Sequence, residues 1–198
     1  VVLLVLLLAC LIGGGIFYEK YVRVTATELA PGIHALMGGG GNSLVVEDGG
    51  ETLVVDTKFP PGSESLRRWI SRHVQSPVKI VVNTHYHYDH TEGNSLYPDA
   101  DKIAFRETPA LMTKFDDDWW SGHAGGVPTD LVDDMRTIQV GATEVQLAHP
   151  AAAHTLGDLW VYLPQQNVIA TGDLVFNGYY PFMDQPEGGT SIPGMIEI

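Results

Sequence analysis

The pattern of apolar and polar positions divides the chain into two unequal parts. From Val1 to Ile12 every residue is apolar, and Gly13-Gly14-Gly15 and Ile16-Phe17-Tyr18 extend the run without a charge as far as Glu19-Lys20-Tyr21. A helix apolar on every face has no side to turn towards water, which is not how a core helix of a soluble domain reads. The run is near the lower limit for crossing a bilayer, and the aromatic and basic residues after it suit a membrane interface. Residues 1–18 are therefore expected to form a transmembrane anchor or signal segment, and 19–27 a linker. Residues 28–198 would form the working domain, membrane-anchored or exported to a periplasmic or extracellular location. With no initiating Met at Val1, the chain reads as beginning inside the apolar segment.

After the linker the period changes. Residues 33–37, 43–47 and 52–56 are short apolar-rich runs separated by Gly38-Gly39-Gly40-Gly41 and by Asp48-Gly49-Gly50, as in an antiparallel meander with tight turns. The four glycines have no Lys-Ser/Thr and no helix pattern behind them, so they read as a hairpin loop or flap rather than a phosphate cradle. Residues 63–74 place Leu66, Trp69, Ile70, His73 and Val74 at three- and four-residue spacing, which predicts an amphipathic helix. Pro77 ends it, and Val78-Lys79-Ile80-Val81-Val82 is a buried strand. Strand, helix, strand is an α/β arrangement. Further on, 108–115 reads as a helix, and 159–163 and 168–170 read as strands.

Composition narrows the chemistry. The 198 residues carry 11 Lys+Arg against 24 Asp+Glu, a net charge of −13, which argues against a nucleic-acid partner. One cysteine, Cys10, cannot build a disulfide framework or a CxxC metal site. A metal would have to be held by His and carboxylates.

Such donors stand at the end of the 78–82 strand. Asn83-Thr84-His85-Tyr86-His87-Tyr88-Asp89-His90 brings three of the eight histidines and a carboxylate within six residues. Side chains two apart in extended backbone point the same way, so His85 and His87 can grip one ion. Asp89 and His90 leave the strand at the turn and can face a second ion about 3.5–4 Å away, the spacing of two-metal hydrolytic sites. His154, in Ala153-His154-Thr155-Leu156-Gly157-Asp158, and Asp173, in Thr171-Gly172-Asp173, each read as structural when taken alone. Their order and strand-end placement after the histidine run add them to the candidate set.

Three features stay open. The stretch Phe115 to Gly126, with Asp116-Asp117-Asp118-Trp119-Trp120, reads either as a lid whose Trp pair packs on an apolar substrate or as a helix end with partly buried tryptophans and a solvated acidic run. His149 is either a residue that hydrogen-bonds a ligand or a strand-end residue, and Asn177 to Phe182 is either a pocket wall or a simple turn. His34 and His73 look structural.

On His85-x-His87-x-Asp89-His90, His154-Thr155 and Thr171-Gly172-Asp173 the sequence resembles the metallo-β-lactamase superfamily of metallohydrolases, over residues 28–198. The resemblance implies an α/β fold of the αββα sandwich type, with a dinuclear zinc site at one edge of two sheets. It implies that His85, His87 and His154 hold one ion, that Asp89 and His90 hold the other, that Asp173 bridges them, and that Asp89 is the catalytic proton carrier. The family pattern ends in a further His. None follows His154 here, so the second half of the sandwich is expected to be incomplete, the chain stopping short of that ligand.

The implied activity is metal-dependent hydrolysis of an ester, thioester, lactone or related bond in a small-molecule substrate. Asp173 stands where one β-lactamase subclass carries Cys, which ranks β-lactam hydrolysis lower. The alternatives are an iron-dependent sulfur dioxygenase or di-iron oxidoreductase on the same scaffold, and a non-catalytic exported metal-binding protein.

Overall fold

The computed structural model describes residues 2–198, with side chains from Cys10 onwards. The chain opens with helix α1 (Val2–Phe17), continued by a π-helical turn, Tyr18–Val22. At 1.5 Å per residue its 16 described residues measure about 24 Å. Among the described residues no helix is long and apolar enough to cross a membrane. The structure thus gives no support to a transmembrane helix in residues 1–18, of which Val1 lies outside the described residues. Within residues 19–27 the π-turn fills the first half, and strand β1 (Thr25–Ala30) begins before the segment ends. That strand escaped the hydrophobic pattern because it lies at a sheet edge, exposed on both faces along most of its length.

Strands β2 (Ile33–Met37), β3 (Ser43–Asp48) and β4 (Glu51–Val55) follow β1 as the expected antiparallel meander. Helix α2 (Gly62–His73) then crosses to β5 (Val78–Val82), which pairs parallel with β4. The short helix α3 (Tyr88–Thr91) leads to β6 (Asp101–Phe105). Helices α4 (Thr108–Phe115) and α5 (Asp117–Gly122) precede β7 (Asp130–Val132), which completes a seven-stranded sheet in the order β1 to β7. The second sheet is antiparallel, built from β8 (Met135–Val140), β9 (Thr143–Ala148), β10 (Trp160–Leu163) and β11 (Val168–Ala170) in the order β11-β10-β9-β8. Helix α6 (Ile192–Glu197) closes the chain.

Alternation decides how the layers pack. Leu44, Val46, Leu53, Val55 and Val82 of the first sheet meet Val145, Leu147, Val161 and Leu163 of the second in one buried cluster. The intervening residues Val45, Val54 and Val81 face the other way, onto Leu66 and Ile70 of α2. Burying a Leu or Ile at such a seam contributes about 1.5–3 kcal/mol. The first sheet is thus covered on both faces, which is why β3 and β4 read as continuous apolar runs rather than alternating ones. The carboxyl ends of its parallel strands open at one edge of the sandwich, where loops from both sheets meet.

Candidate metal centre

The parallel pairing of β4 with β5 aligns Val55 with Val82, so the residues just beyond, Asp56 and Asn83-Thr84, leave the sheet side by side. Asp56 N donates to Val82 O at 2.9 Å and fixes that exit. The chain then runs through His85 and His87 in a loop before α3 carries Asp89 and His90 back towards the sheet. From the second sheet, Leu159 N donates to Thr84 O at 2.7 Å and pins the His154 loop against the His85 loop. Asp173 arrives just after β11.

These six predicted residues converge, five of them tightly. His87 Nδ1 lies 3.0 Å from His85 Nε2 and 3.1 Å from His154 Nε2. His90 Nε2 is 3.3 Å from Asp173 Oδ1, and His154 Nε2 is 3.7 Å from Asp173 Oδ2. Two groups of three donors could each hold an ion: His85, His87 and His154, and His85, His90 and Asp173. Asp89 stands further out, with Oδ2 3.8 Å from His90 Nε2 and its side chain partly open to solvent.

The outer edges of the imidazoles settle which nitrogens face inwards. Asp56 Oδ2 lies 2.7 Å from His90 Nδ1 and accepts its proton. Thr84 Oγ1 donates to Asp56 Oδ2 at 2.6 Å, so at 3.1 Å it accepts from His85 Nδ1. Phe182 O accepts from His154 Nδ1 at 3.0 Å, and Asp184 Oδ1 faces His87 Nε2 at 3.3 Å. With each outer nitrogen protonated, each inner nitrogen presents a lone pair. Three such lone pairs about 3 Å apart repel one another unless a cation lies between them. His90 Nε2 is buried with no hydrogen-bond partner among the described residues. The donor set fits divalent metal.

Charge follows the same geometry. Burial, reinforced by the neighbouring imidazoles, holds His85 well below the ordinary histidine range, and burial also lowers His154. Burial acts the same way on His90, but Asp56, Asp173 and Asp89 outweigh it and raise His90 well above that range. Burial works to raise Asp173, yet His90, His154 and His87 bring it below the usual carboxylate value.

Two supporting residues were not foreseen. Asp56 had a legible signal, a carboxylate at a strand end, but its partners are 28 and 34 positions away. Asp184, which also accepts from Tyr86 Oη at 2.6 Å, lies in an irregular loop with no sequence signature. Asp158 organises the His154 turn by accepting from Thr155 N and Oγ1 and from Ala153 N. The open readings also resolve. Trp120 is buried against Tyr86, Leu111 and Met112, so the 115–120 stretch is a helix end and not a lid. His149 donates to Asp158 O and stacks on Phe105, as a strand-end residue. Phe182 does border the site.

Gly38, Gly39 and Gly40 all take positive φ between β2 and β3, and Gly41 N donates to Asp89 O at 3.0 Å. A Cβ on Gly41 would collide with the His90 ring. Gly41→Ala is expected to displace His90 and cut second-site metal affinity about 10–100-fold, as calorimetric titration of the chelator-treated protein would show. Full affinity in that variant would mean that the loop yields instead.

The same loop is held by Lys58, fully buried, whose ammonium donates to Leu36 O at 3.0 Å and to Gly41 O. Burial brings Lys58 down to about 8. Between that value and the unfolded 10.5 the unfolded chain binds the extra proton, so this group's contribution makes stability rise with pH across the window, by about 3 kcal/mol at most. Lys58→Met should flatten that rise in urea titrations at pH 8 and pH 10. An unchanged slope would place its origin elsewhere.

The family model of the metallo-beta-lactamase superfamily matches residues 36–194. The chain belongs to that superfamily. Its relatives in this family differ in what is known of them. It is 27% identical over 172 residues to the 2,4-dinitroanisole O-demethylase subunit alpha of Nocardioides sp. (strain JS1661), covering 81% of this chain but spanning only 49% of that protein's length. It is 30% identical over 156 residues to an uncharacterized protein of Aquifex aeolicus (strain VF5), covering 74% of this chain and 71% of that one. Among solved structures it superposes on a metallo-beta-lactamase from Pontibacter korlensis with a TM-score of 0.71 at 21% identity, over 88% of this chain and 84% of that one. The DIM-1 metallo-beta-lactamase gives 0.67 at 20% identity, over 86% and 78%. At these identities the structures establish the fold alone.

Proposed function

We propose that the chain is a metal-dependent hydrolase that cleaves an ester, thioester or lactone of a small molecule. The observation that carries this reading is the convergence of His85, His87 and His154, with the outer nitrogens of His85 and His154 hydrogen-bonded and that of His87 facing the Asp184 carboxylate. Those three would hold one ion, and His90, Asp173 and Asp89 would hold a second. Zinc suits a donor set of imidazole and carboxylate. When bound, such ions act as Lewis acids and bring water's pKa towards neutrality.

The remaining chemistry belongs to the side chains. Asp89, partly open to the cleft, is placed to accept a proton from attacking water and to pass it to the leaving group. Asp56 and Thr84 keep His90 and His85 in one tautomer, so the donors need no reorganisation. The cleft beside them, about 470 Å³, sets the aromatic rings of Tyr88, Phe115 and Phe182, which suit an acyl or aryl group, against the carboxylates Asp89, Glu92, Asp116, Asp173 and Asp184.

A second reading is O-demethylation of an electron-poor aryl methyl ether, in which water adds and methanol leaves. The demethylase relative favours it, and so do the aromatic walls. Zinc-loaded protein assayed on aryl esters, thioesters, lactones, a chromogenic β-lactam and a dinitroaryl methyl ether separates the readings. The first predicts turnover of esters and thioesters above the β-lactam and the ether. Turnover of the ether alone would replace it with the second, and inertness across the panel would overturn both.

A further inference from the structure

Helix α1 and the metal centre are joined by a short aromatic ladder. Phe17 packs on Tyr21 with ring centroids 5.3 Å apart, Tyr21 on Phe59 at 6.1 Å, and Phe59 on Tyr88 at 5.3 Å. Tyr88 is the neighbour of Asp89 and lines the cleft. The π-turn Tyr18–Val22 also touches the glycine loop, since a Cβ on Gly39 would lie 3.5 Å from Tyr21 O. The N-terminal helix therefore starts from the rim of the candidate active site rather than from a remote linker.

Apart from the Phe17–Tyr21 contact, the described side chains of that helix lie open. Leu11, Ile12, Ile16 and Phe17 are all more than half exposed, and Cβ atoms on Gly13, Gly14 and Gly15 would meet nothing within 4 Å. A groove on a protein calls for one apolar stripe with a polar back, whereas Val2–Phe17 has no polar position anywhere along its sequence. Fluid acyl chains match a helix that is apolar all round. At its C-terminal end Tyr18, Lys20, Tyr21 and Arg23 form a collar of the kind that settles at headgroup level. Across the cleft, Phe182 is exposed, and the same loop shows Tyr179 and Tyr180, the latter 98% exposed.

We infer that this helix and the aromatic rim dock the domain on a lipid surface with the cleft mouth at the interface. The substrate it would take there is an amphiphile whose acyl ester or thioester bond lies at headgroup depth. This deepens the hydrolase reading and rests on it for the substrate. Water adds across the acyl C–O or C–S bond, releasing a carboxylate, an alcohol or thiol, and one proton. The aromatic side of the cleft, Tyr88, Phe115 and Phe182, accepts the chain, and the collar fixes the depth.

Flotation of the full chain with phosphatidylcholine vesicles tests the docking without any chemistry. Wild-type protein should float, and Ile12→Glu/Ile16→Glu should remain in the dense fraction while keeping its turnover of a short, water-soluble ester. Turnover of a long-chain ester embedded in the vesicles should fall about tenfold in that variant. Tyr179→Ser/Tyr180→Ser should also weaken flotation, because the rim meets the lipid. Wild-type protein that does not float, or that self-associates instead, overturns the docking, as does a glutamate variant that floats unchanged. A tyrosine variant that floats and works on embedded ester like wild type overturns the orientation. Flotation with no hydrolysis of any ester supports the docking and sinks the hydrolase reading, whereas soluble-ester turnover without flotation sinks the docking alone.

Discussion

His87→Ala is expected to lose the first-site ion and to lower turnover about a thousandfold or more, with the fold intact. The geometry makes this residue the hub: its Nδ1 is the common neighbour of His85 Nε2 and His154 Nε2, and removing it leaves two donors where at least three protein ligands are needed. A factor of a thousand corresponds to about 4 kcal/mol of barrier, the scale of transition-state charge stabilisation by a metal. His87 is also the cleanest of the three to remove. His85 and His154 are almost fully buried, and truncating them would add a cavity, whereas the His87 side chain keeps 16% of its surface exposed. Metal content and kcat measured on the same preparation, with a thermal melt as control, decide it. Wild-type metal content with lost activity would move His87 from holding metal to handling substrate.

Asp56→Ala should act through a different link, the support of the site. Its carboxylate accepts from Thr84 N at 2.8 Å, from Thr84 Oγ1 and from His90 Nδ1, all in a buried setting. Alanine leaves those donors unpaired and removes the charge that keeps His90 protonated at Nδ1. Breaking a buried charged pair in this way costs about 3–5 kcal/mol. Urea unfolding measures that loss, and the second-site affinity should fall with it. Asp56 adopts φ 57°, a conformation unfavourable for a residue with a Cβ, as do Lys58 at 64° and, among the other described non-glycine residues, Asn167 alone. Strain gathered at this strand exit fits a segment shaped by the site and not by the sheet. A loss below 1 kcal/mol would show that water or a rearranged Thr84 replaces the carboxylate.

The parts of this picture that sequence reading reached are those encoded locally. The period of 63–74 gave α2, the apolar run 78–82 gave β5, and the two-residue spacing of His85 and His87 gave the core of the centre. His154 and Asp173 were reached because each follows or precedes a strand in an order that repeats a known motif series. Asp56 was missed because its role depends on β4 lying parallel to β5, a pairing across α2 that no local pattern states. Asp184 depends on a loop returning to Tyr86 from 98 positions away. The Trp119-Trp120 pair was ambiguous for the same reason: whether an apolar cluster is a lid or a helix end is decided by what it packs against, here Tyr86, Leu111 and Met112.

The central claim is that this histidine and carboxylate cluster is a metal centre that makes the chain a hydrolase. Plasma mass spectrometry of the purified full chain, run beside an ester-hydrolysis assay before and after treatment with chelator, tests it most directly. The account predicts about one to two zinc ions per chain, with activity lost on chelation and restored by added zinc. Folded protein that binds no divalent metal, or that carries iron and consumes oxygen on turnover, would contradict it.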